Sequence, residues 1–365
     1  MVDEKYKIFA LNPGSTSTKI AMFYGDTAQF VQTIEHRAES LGPIQEQLAS
    51  RRRDILEAVE AKGYTLADVD VFAGRGGAMY PCEGGIYEIN DQMLLDAQFG
   101  PFGEHPARLS SRLCDSFRRE YGGKCCVVDP PDTDELDEEA RITGLKDIYH
   151  ESRAHALNQK AVAQIYAGQT GKRYEEMNLI IAHLGGGISI SAHRKGRIID
   201  TNDILHGGGP IAPTRCGYIA PGKLIELCFS GKYTEKELHN KTHKNGGLVD
   251  LLGTADVREV HRRIEAGDRY ARLVLDGMIL SIARSIGARA ASLKGQVDQI
   301  LFTGGISKDR YLVEKLREHV QWISPVQVFA GEFEMEALGM GALQWLRGER
   351  ISKEYTGHPV WTPPV

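Results

Sequence analysis

Ile8-Phe9-Ala10-Leu11, Asn12-Pro13-Gly14-Ser15-Thr16-Ser17-Thr18 and Lys19-Ile20-Ala21-Met22-Phe23-Tyr24 read in turn as an apolar strand, a tight turn and a second strand returning beside the first. The device recurs as Leu179-Ile180-Ile181-Ala182-His183-Leu184, then Gly185-Gly186-Gly187, then Ile188-Ser189-Ile190-Ser191-Ala192-His193-Arg194. Turns dense in Gly, Ser and Thr leave backbone N–H groups open to anything polyanionic, so each can cradle phosphate. One such hairpin in each half of the chain predicts two related domains facing each other across one polyphosphate.

Length supports that division, because 365 residues exceed what one core usually spans. With 42% apolar and 25% charged residues the chain has the composition of an ordinary globular protein. A formal net charge of -5 argues against a general nucleic-acid binder, which would show a basic face. Arg51-Arg52-Arg53 is the one basic cluster and reads as a solvated helix face. No long uninterrupted apolar run predicts a membrane span, and Asp3, Glu4 and Lys5 stand where a signal peptide would need its apolar region, so a cytoplasmic protein is expected. Cys82, Cys114, Cys125, Cys126, Cys216 and Cys228 show neither CxxC nor zinc spacing and read as reduced structural thiols.

The first half alternates strand-like and helix-like segments. Gln29 to His36 can extend the opening hairpin, and Ile44 to Lys62 has the periodicity of an amphipathic helix. Val69-Asp70-Val71-Phe72-Ala73 is a short buried strand ending in Gly74-Arg75-Gly76-Gly77, and Cys125-Cys126-Val127-Val128 is another ending at Asp129-Pro130-Pro131. Strands separated by helices imply a sheet with a parallel part, whose ligands lie beyond the carboxyl ends of the strands. Arg75 and Asp129 occupy those ends. The second half repeats the plan: Arg197 to Asp200 extends the second hairpin, and Asn202 to Pro221 forms a long Gly/Pro-rich loop. Helices are expected over Gly222 to Phe229 and Val257 to Leu293 with a break near Gly267, the apolar faces from Leu273 to Ile286 being core. Val297 to Phe302 is a buried strand stopping at Thr303-Gly304-Gly305-Ile306-Ser307, with Ser307 as cap of the helix beyond, and Phe333 to Gly348 is a last helix. The charge-dense stretch Asp132 to Arg141 and the stretch Lys146 to Arg153 are expected to hold the domain crossover.

Common nucleotide motifs are missing. No GxxxxGK[ST] occurs, and no GxGxxG joins a strand to a helix. What remains, in order, is two phosphate hairpins and a strand-Gly-Gly-helix element whose bare backbone could carry a purine ring. Asn12 to Lys19, His183 to Ser189 and Phe302 to Ser307 resemble the three phosphate and adenosine motifs of the acetokinase family, within the sugar kinase, Hsp70 and actin superfamily, and the likeness runs along nearly the whole chain. Gly185-Gly186-Gly187, where acetate kinases carry Gly-Asn-Gly, and the segment His155 to Lys160 are similar to the branch acting on butyrate.

The resemblance implies an α/β protein of two duplicated ribonuclease H-like domains of the actin and Hsp70 type, with mixed sheets and an interdomain cleft. Residues 1–150 would form the acid-substrate domain, with a C-terminal helix near 334–350 packing back on it, and residues 151–333 the nucleotide-binding domain. ATP or ADP and Mg²⁺ are the implied cofactors, a small carboxylate the substrate, and a homo-oligomer, dimer or higher, the implied assembly. Carried over by local motif, Asn12 would stand near the metal and the transferred phosphoryl group, with Ser15 and Lys19 in the same phosphate-binding element. Arg75 would hold the substrate carboxylate, Asp129 would organise magnesium, His155 would donate to the phosphoryl group in flight, and Arg215, in Pro-Thr-Arg-Cys-Gly, would grip the same group. His183, Gly185, Gly186, Gly187, Asp256, Arg258, Gly304, Gly305 and Ile306 would contact nucleotide, and Glu334 would be the C-terminal carboxylate near magnesium. His206-Gly207-Gly208-Gly209-Pro210 departs from relatives that carry acidic residues there, which leaves the acyl preference open.

Physical chemistry points the same way. A carboxylate is fully ionised at neutral pH, so as a phosphoryl acceptor it needs alignment and no general base. The loose transition state spreads charge over three equatorial oxygens, where arginines, a histidine and a metal ion would act. Other short acids, namely acetate, propionate or isobutyrate, and a non-catalytic nucleotide switch remain as alternative readings. A sugar kinase would need a base for its hydroxyl nucleophile, and no suitable aspartate motif stands in the second half.

Overall fold

Within Lys7–Pro13 (β1) the residues Ile8 to Leu11 are an unbroken apolar run, covered on both faces: Phe9 and Leu11 enter one buried cluster, Ile8 and Ala10 another. The structure, a computed structural model, describes residues 5–36, 42–103 and 105–364; Asp3 and Glu4 lie outside them. Ser17–Tyr24 (β2) returns antiparallel to β1, and Thr27–Glu35 (β3) adds to its free edge. Val71–Gly74 (β4) lies parallel to β1 on the other side, followed outward by Lys124–Val128 (β6), again parallel. A short antiparallel strand, Ile86–Glu88 (β5), which the sequence reading did not anticipate, closes the order β3-β2-β1-β4-β6-β5.

The second sheet repeats the arrangement. Asn178–Leu184 (β7), Ile188–Arg194 (β8) and Arg197–Asp200 (β9) form its antiparallel meander. Gln299–Gly304 (β10) runs parallel to β7, and Val326–Ala330 (β11), also unanticipated, runs parallel to β10, giving β11-β10-β7-β8-β9. Matched strand for strand, β1, β2, β3, β4 and β6 correspond to β7, β8, β9, β10 and β11 in order and direction. Both sheets are therefore mixed.

By contacts the chain divides into one unit of Met1–Asp134, Ala156–Ala161 and Phe333–Val365 and another of Glu135–His155 and Val162–Glu332. In the first, the Glu334–Leu346 helix buries Met335, Leu338, Ala342 and Leu343 against Ile8, Ala10, Val71 and Val128. Close approach requires glycine: a Cβ on Gly341 would stand 2.6 Å from Val128 Cγ1. In the second unit the long Arg269–Ser292 helix lies on β7, β8 and β9 and buries Leu275, Met278, Ile279, Ile282 and Ile286, whereas Leu273 and Leu280 of the same segment face solvent.

Two local readings are corrected. Ser307 does not cap the following helix: its hydroxyl donates to Gly304 O at 2.6 Å within a short 3-10 turn, and Asp309 caps Arg310–Val320 by accepting from Leu312 N at 3.0 Å. Arg51 is not on a solvated face. It is fully buried in the Gln47–Ala61 helix, while Arg52 and Arg53 keep solvent access. The Pro-rich tail is also more ordered than its composition suggests, since Tyr355 is buried and donates to Asp96 Oδ2 at 2.7 Å.

Candidate active site

Three residues singled out from the sequence lie at the carboxyl ends of three adjacent parallel strands. Asn12 is near the end of β1, Arg75 directly follows β4, and Asp129 directly follows β6. Strand polarity alone gathers them on one edge of the sheet. Glu334, first residue of the C-terminal helix, accepts a hydrogen bond from Asn12 Nδ2 at 2.7 Å, and its other oxygen lies 3.9 Å from Arg75 Nε. A carboxylate at a helix N-terminus is favoured by the helix dipole. Asp129 is 3% exposed and adopts a left-handed backbone, φ +38°, stabilised by its N–H donating to Gly85 O at 2.8 Å. A non-glycine residue held there stores strain, which is characteristic of sites that must aim a side chain.

Glycines around Arg75 have a packing cause. A Cβ on Gly76 would lie 2.4 Å from Val127 Cγ1, and one on Gly77 would lie 2.5 Å from Ala107 Cβ, both at positive φ. The Gly76 N–H donates to Ser110 Oγ at 3.0 Å.

In the second unit the hairpin register sets His183 opposite Ser189. Ser189 Oγ is 2.8 Å from His155 Nδ1, and the His155 and His183 rings stack with centroids 3.8 Å apart and planes 12° from parallel. The Gly185–Gly187 turn is kept bare by its neighbours: a Cβ on Gly185 would be 3.1 Å from His183 Nε2, and one on Gly187 would be 3.1 Å from Arg215 Cζ. Thr214 donates to Gly186 O from both its N–H (3.2 Å) and its hydroxyl (2.8 Å), and Arg215 Nη1 bonds the same hydroxyl closely. Burial pushes the Arg215 pKa down, yet a guanidinium stays charged at any ordinary pH. His155, His183, Arg215 and the triglycine turn therefore form one cluster.

Asp256, Arg258, Gly305 and Ile306 line a separate cavity of about 590 Å³ in the same unit, together with His261, Lys308, Asp309 and Tyr311. Asp256 caps the Val257–Glu265 helix by accepting from Arg258 N at 2.9 Å, and the Arg258 guanidinium turns back onto the same carboxylate, with Nη2 2.9 Å from Oδ2. That forked pair holds the Asp256 pKa down. Gly304 carries φ +86°, and a Cβ on it would lie 2.4 Å from Leu184 O, so the β10 end abuts β7 there. Volume and mixed lining suit a small flat ligand.

Ser15 and Lys19 sit on the first hairpin, Ser15 exposed and Lys19 half-buried. Sequence reasoning missed Ser189, Thr214 and Ser110, each of which positions a residue that it did find. For Ser189 a signal existed, since a three-glycine turn fixes which residue faces His183. Among the described residues, Glu151, Asp203 and His206 also bring ligand-type atoms within 4.8 Å of one another, but Glu151 pairs with Arg153 and Asp203 with His206, an ion-pair cluster.

Two duplicated mixed sheets, each led by a phosphate-type hairpin and each carrying polar residues at strand ends, define a nucleotide-dependent phosphotransferase fold of the actin type. Porphyromonas gingivalis acetate kinase shares that fold with a TM-score of 0.77 at 18% identity, over 94% of this chain and all 100% of that one. A propionate kinase from Francisella tularensis subsp. tularensis superposes with a TM-score of 0.71 at 20% identity, over 92% of this chain and 98% of its own. Two Clostridium botulinum proteins named "Probable butyrate kinase", from strains Eklund 17B / Type B and Alaska E43 / Type E3, are each 42% identical over 353 residues, 96% of this chain and 99% of theirs. The acetokinase family profile matches residues 150–324. The chain belongs to the acetokinase family. No helix among the described residues is long and apolar enough to cross a membrane.

Proposed function

We propose that this protein is an ATP-dependent kinase of a short-chain fatty acid, converting butyrate and ATP to butyryl phosphate and ADP by direct in-line transfer to the carboxylate. Membership of the acetokinase family implies the use of ATP. The observation that carries the reading is the gathering of Asn12, Arg75, Asp129 and Glu334 at one sheet edge, in a chain 42% identical to proteins named as butyrate kinases.

In this reading Arg75 grips the substrate carboxylate with its planar fork. Asp129, Glu334 and the Asn12 carboxamide form an oxygen-rich donor set of the hard kind that suits Mg²⁺, which needs only one or two protein carboxylates beside phosphate oxygens. Bound there, Mg²⁺ would neutralise charge on the phosphates. Glu334 accepts from Asn12 Nδ2, which leaves the Asn12 carbonyl oxygen as the donor toward the ion. Arg215 and His155 would donate to the equatorial oxygens of the group in transfer, where charge develops. His155 is oriented for that by Ser189 on one side and by the His183 ring on the other. Gly185, Gly186, Gly187 and the first hairpin, including Ser15 and Lys19, would cradle phosphates, and the cavity beside Asp256, Arg258, Gly305 and Ile306 would take the adenosine.

The same reading makes residues 1–150 with the C-terminal helix the acid-binding domain and residues 151–333 the nucleotide-binding domain. A cytoplasmic location fits an ATP-consuming enzyme with six free cysteines, of which Cys82, Cys114, Cys125 and Cys126 are buried. A homo-oligomer is supported by the Pro221–Cys228 helix, which buries none of its residues, and by Tyr218, Ile219, Ile225 and the 87% exposed Phe229 around it.

Initial rates with MgATP and a series of C2 to C6 acids, the acyl phosphate trapped with hydroxylamine, test the reaction. Butyrate should give the highest kcat/KM, with each methylene removed costing about 1–3 kcal/mol of discrimination. Absence of hydroxamate with every acid would overturn the proposal.

A further inference from the structure

The Asn12–Thr18 turn has its carbonyls drawn inward by groups that the proposed chemistry does not use. Arg51, fully buried, donates from Nη2 to Ser15 O at 3.1 Å and from Nη1 to Ser17 O at 3.1 Å. Between them, Thr16 O accepts from His36 N at 2.7 Å, and Ser17 O also accepts from Gly14 N at 2.7 Å. Three successive carbonyls thus have hydrogen-bond partners within the protein. Every described peptide bond is trans, so each amide N–H points opposite to the carbonyl of its own peptide unit. Holding the carbonyls of Ser15 and Thr16 on Arg51 and His36 N therefore turns the N–H groups of Thr16 and Ser17 away from those donors, at a turn where Ser15 and Thr16 are exposed. That is the geometry of an anion-binding nest.

The arginine is itself clamped. Its Nε donates to Gln47 Oε1 at 3.0 Å and its Nη1 to Thr18 Oγ1 at 3.0 Å. Thr18 Oγ1 lies 2.8 Å from His36 Nε2, and His36 Nδ1 lies 3.1 Å from Asp54 Oδ2. Donor and acceptor roles close consistently for a neutral ring: arginine to hydroxyl, hydroxyl to Nε2, Nδ1–H to carboxylate. Burial and Arg51 both push the His36 pKa down, in keeping with that state. Among the described residues no carboxylate lies within ion-pair distance of Arg51, whose partners are carbonyls, an amide and a hydroxyl. A buried cation whose hydrogen-bond partners are carbonyls, an amide and a hydroxyl, with Asp54 acting on it only at longer range, is an expensive way to hold a turn. It also places positive charge behind the turn.

We infer that Arg51 is a positioning residue, which with His36 and Thr18 fixes the first hairpin turn so that the Thr16 and Ser17 amides bind the terminal phosphoryl group. The inference rests on the kinase reading above and deepens it, because the turn would then separate ATP from ADP. Two variants and two binding measurements test it: Arg51→Met, close in length but unable to donate, and Arg51→Lys, which keeps the charge without the fork. MgATP and MgADP affinities are measured by calorimetry, and the ¹⁵N shifts of Thr16 and Ser17 are followed on adding each nucleotide.

In the native protein MgATP should move both amides and MgADP should not. Arg51→Met should weaken MgATP at least tenfold, leave MgADP within about twofold and abolish the two shifts. Arg51→Lys should show the same signature at smaller size, which covers the case in which Arg51→Met does not fold. A folded variant with undiminished preference for MgATP, or with MgATP and MgADP weakened equally, would overturn the inference. Neither measurement requires turnover. A protein that forms no hydroxamate but keeps this binding pattern would sink the kinase reading and retain the brace, whereas normal nucleotide selectivity in active variants would do the reverse.

Discussion

Two hairpins of the same topology solve the same problem by different means. In the first, a polar turn would be floppy without support, and a buried arginine behind it takes the carbonyls of Ser15 and Ser17. In the second, the turn is three glycines, and the residues that hold it come from the loop in front: Thr214 donates twice to Gly186 O, and the Arg215 guanidinium lies against Gly187. Burial lowers the pKa of both arginines. Arg51 spends its donors on the protein, however, whereas Arg215 is held at its Nη1 by the neighbouring Thr214 hydroxyl and at its Nε by a long 3.4 Å contact to Ile204 O. The duplicated fold therefore conserves the strand path, and the polarity of each turn decides on which side an arginine can stand. The first turn has its arginine bonded to the turn carbonyls, while the glycine turn has its arginine packed against the bare backbone of Gly187.

The largest effect that would break this contrast is expected at Arg215. Arg215→Lys keeps the charge but loses the planar fork, so kcat should fall by about 100-fold or more while the KM for MgATP stays nearly constant. Steady-state kinetics at saturating butyrate give the answer. An unchanged kcat would remove Arg215 from the transition state and leave it as a support like Arg51.

A second test compares the strands beside each hairpin, at the matching ends of β4 and β10. Gly304 has φ +86° and a backbone oxygen, Leu184 O, where a Cβ would go at 2.4 Å. Backbone cannot step aside cheaply, so Gly304→Ala should destabilise by about 3 kcal/mol or more. At Gly74 the obstruction is Ser110 Oγ at 2.5 Å, a side-chain atom that can rotate at the expense of its bond to Gly76 N–H. Gly74→Ala should cost about 1–2 kcal/mol. Urea midpoints of the two variants rank the positions. Equal losses would mean that the two strand ends are less different than their contacts indicate.

These contrasts also explain what could be read from the sequence. The hairpins, β4, β6 and β10 were legible because short apolar runs between glycine turns fix both strand and strand end, and strand polarity then gathered Asn12, Arg75 and Asp129. β11 was not, since Val326–Ala330 is only partly buried and its polar Gln327 interrupts the run. The burial of Arg51 was hidden for a different reason. Within Arg51-Arg52-Arg53 one residue in three faces inward by helical periodicity, and an arginine in that place carries no sequence mark distinguishing it from its solvated neighbours. Its partners, Ser15, Ser17, Thr18 and Gln47, are ordinary polar residues whose meaning depends on the turn being folded. The 3-10 turn at Gly305–Lys308 takes up Ser307, so the helix beyond starts at Arg310 and its cap falls on Asp309.

The smallest expected effects lie in the pH dependence of stability, where one histidine of each unit should act with opposite sign. His36 faces Arg51, Asp54 and Glu35; burial and Arg51 outweigh the two carboxylates and lower its pKa from the ordinary 6.5. A lowered folded pKa means that the fold prefers the neutral ring, so its contribution is complete above pH 6.5 and is lost as pH falls through the folded value. His206 faces Asp203, Glu151 and Arg153, and the Asp203 hydrogen bond raises its pKa above 6.5. Its contribution is complete below pH 6.5 and is lost as pH rises through the folded value. The His206 side chain is 60% exposed, so solvent screening makes this the weaker of the two. Urea midpoints across pH 5 to 8 for the native protein, His36→Gln and His206→Gln separate them. Relative to the native protein, His36→Gln should flatten the acid side of the profile and His206→Gln the alkaline side. If His36→Gln altered the alkaline side instead, the ring would be charged in the fold, and the donor order from Arg51 through Thr18 to Asp54 would have to be reversed at the hydroxyl.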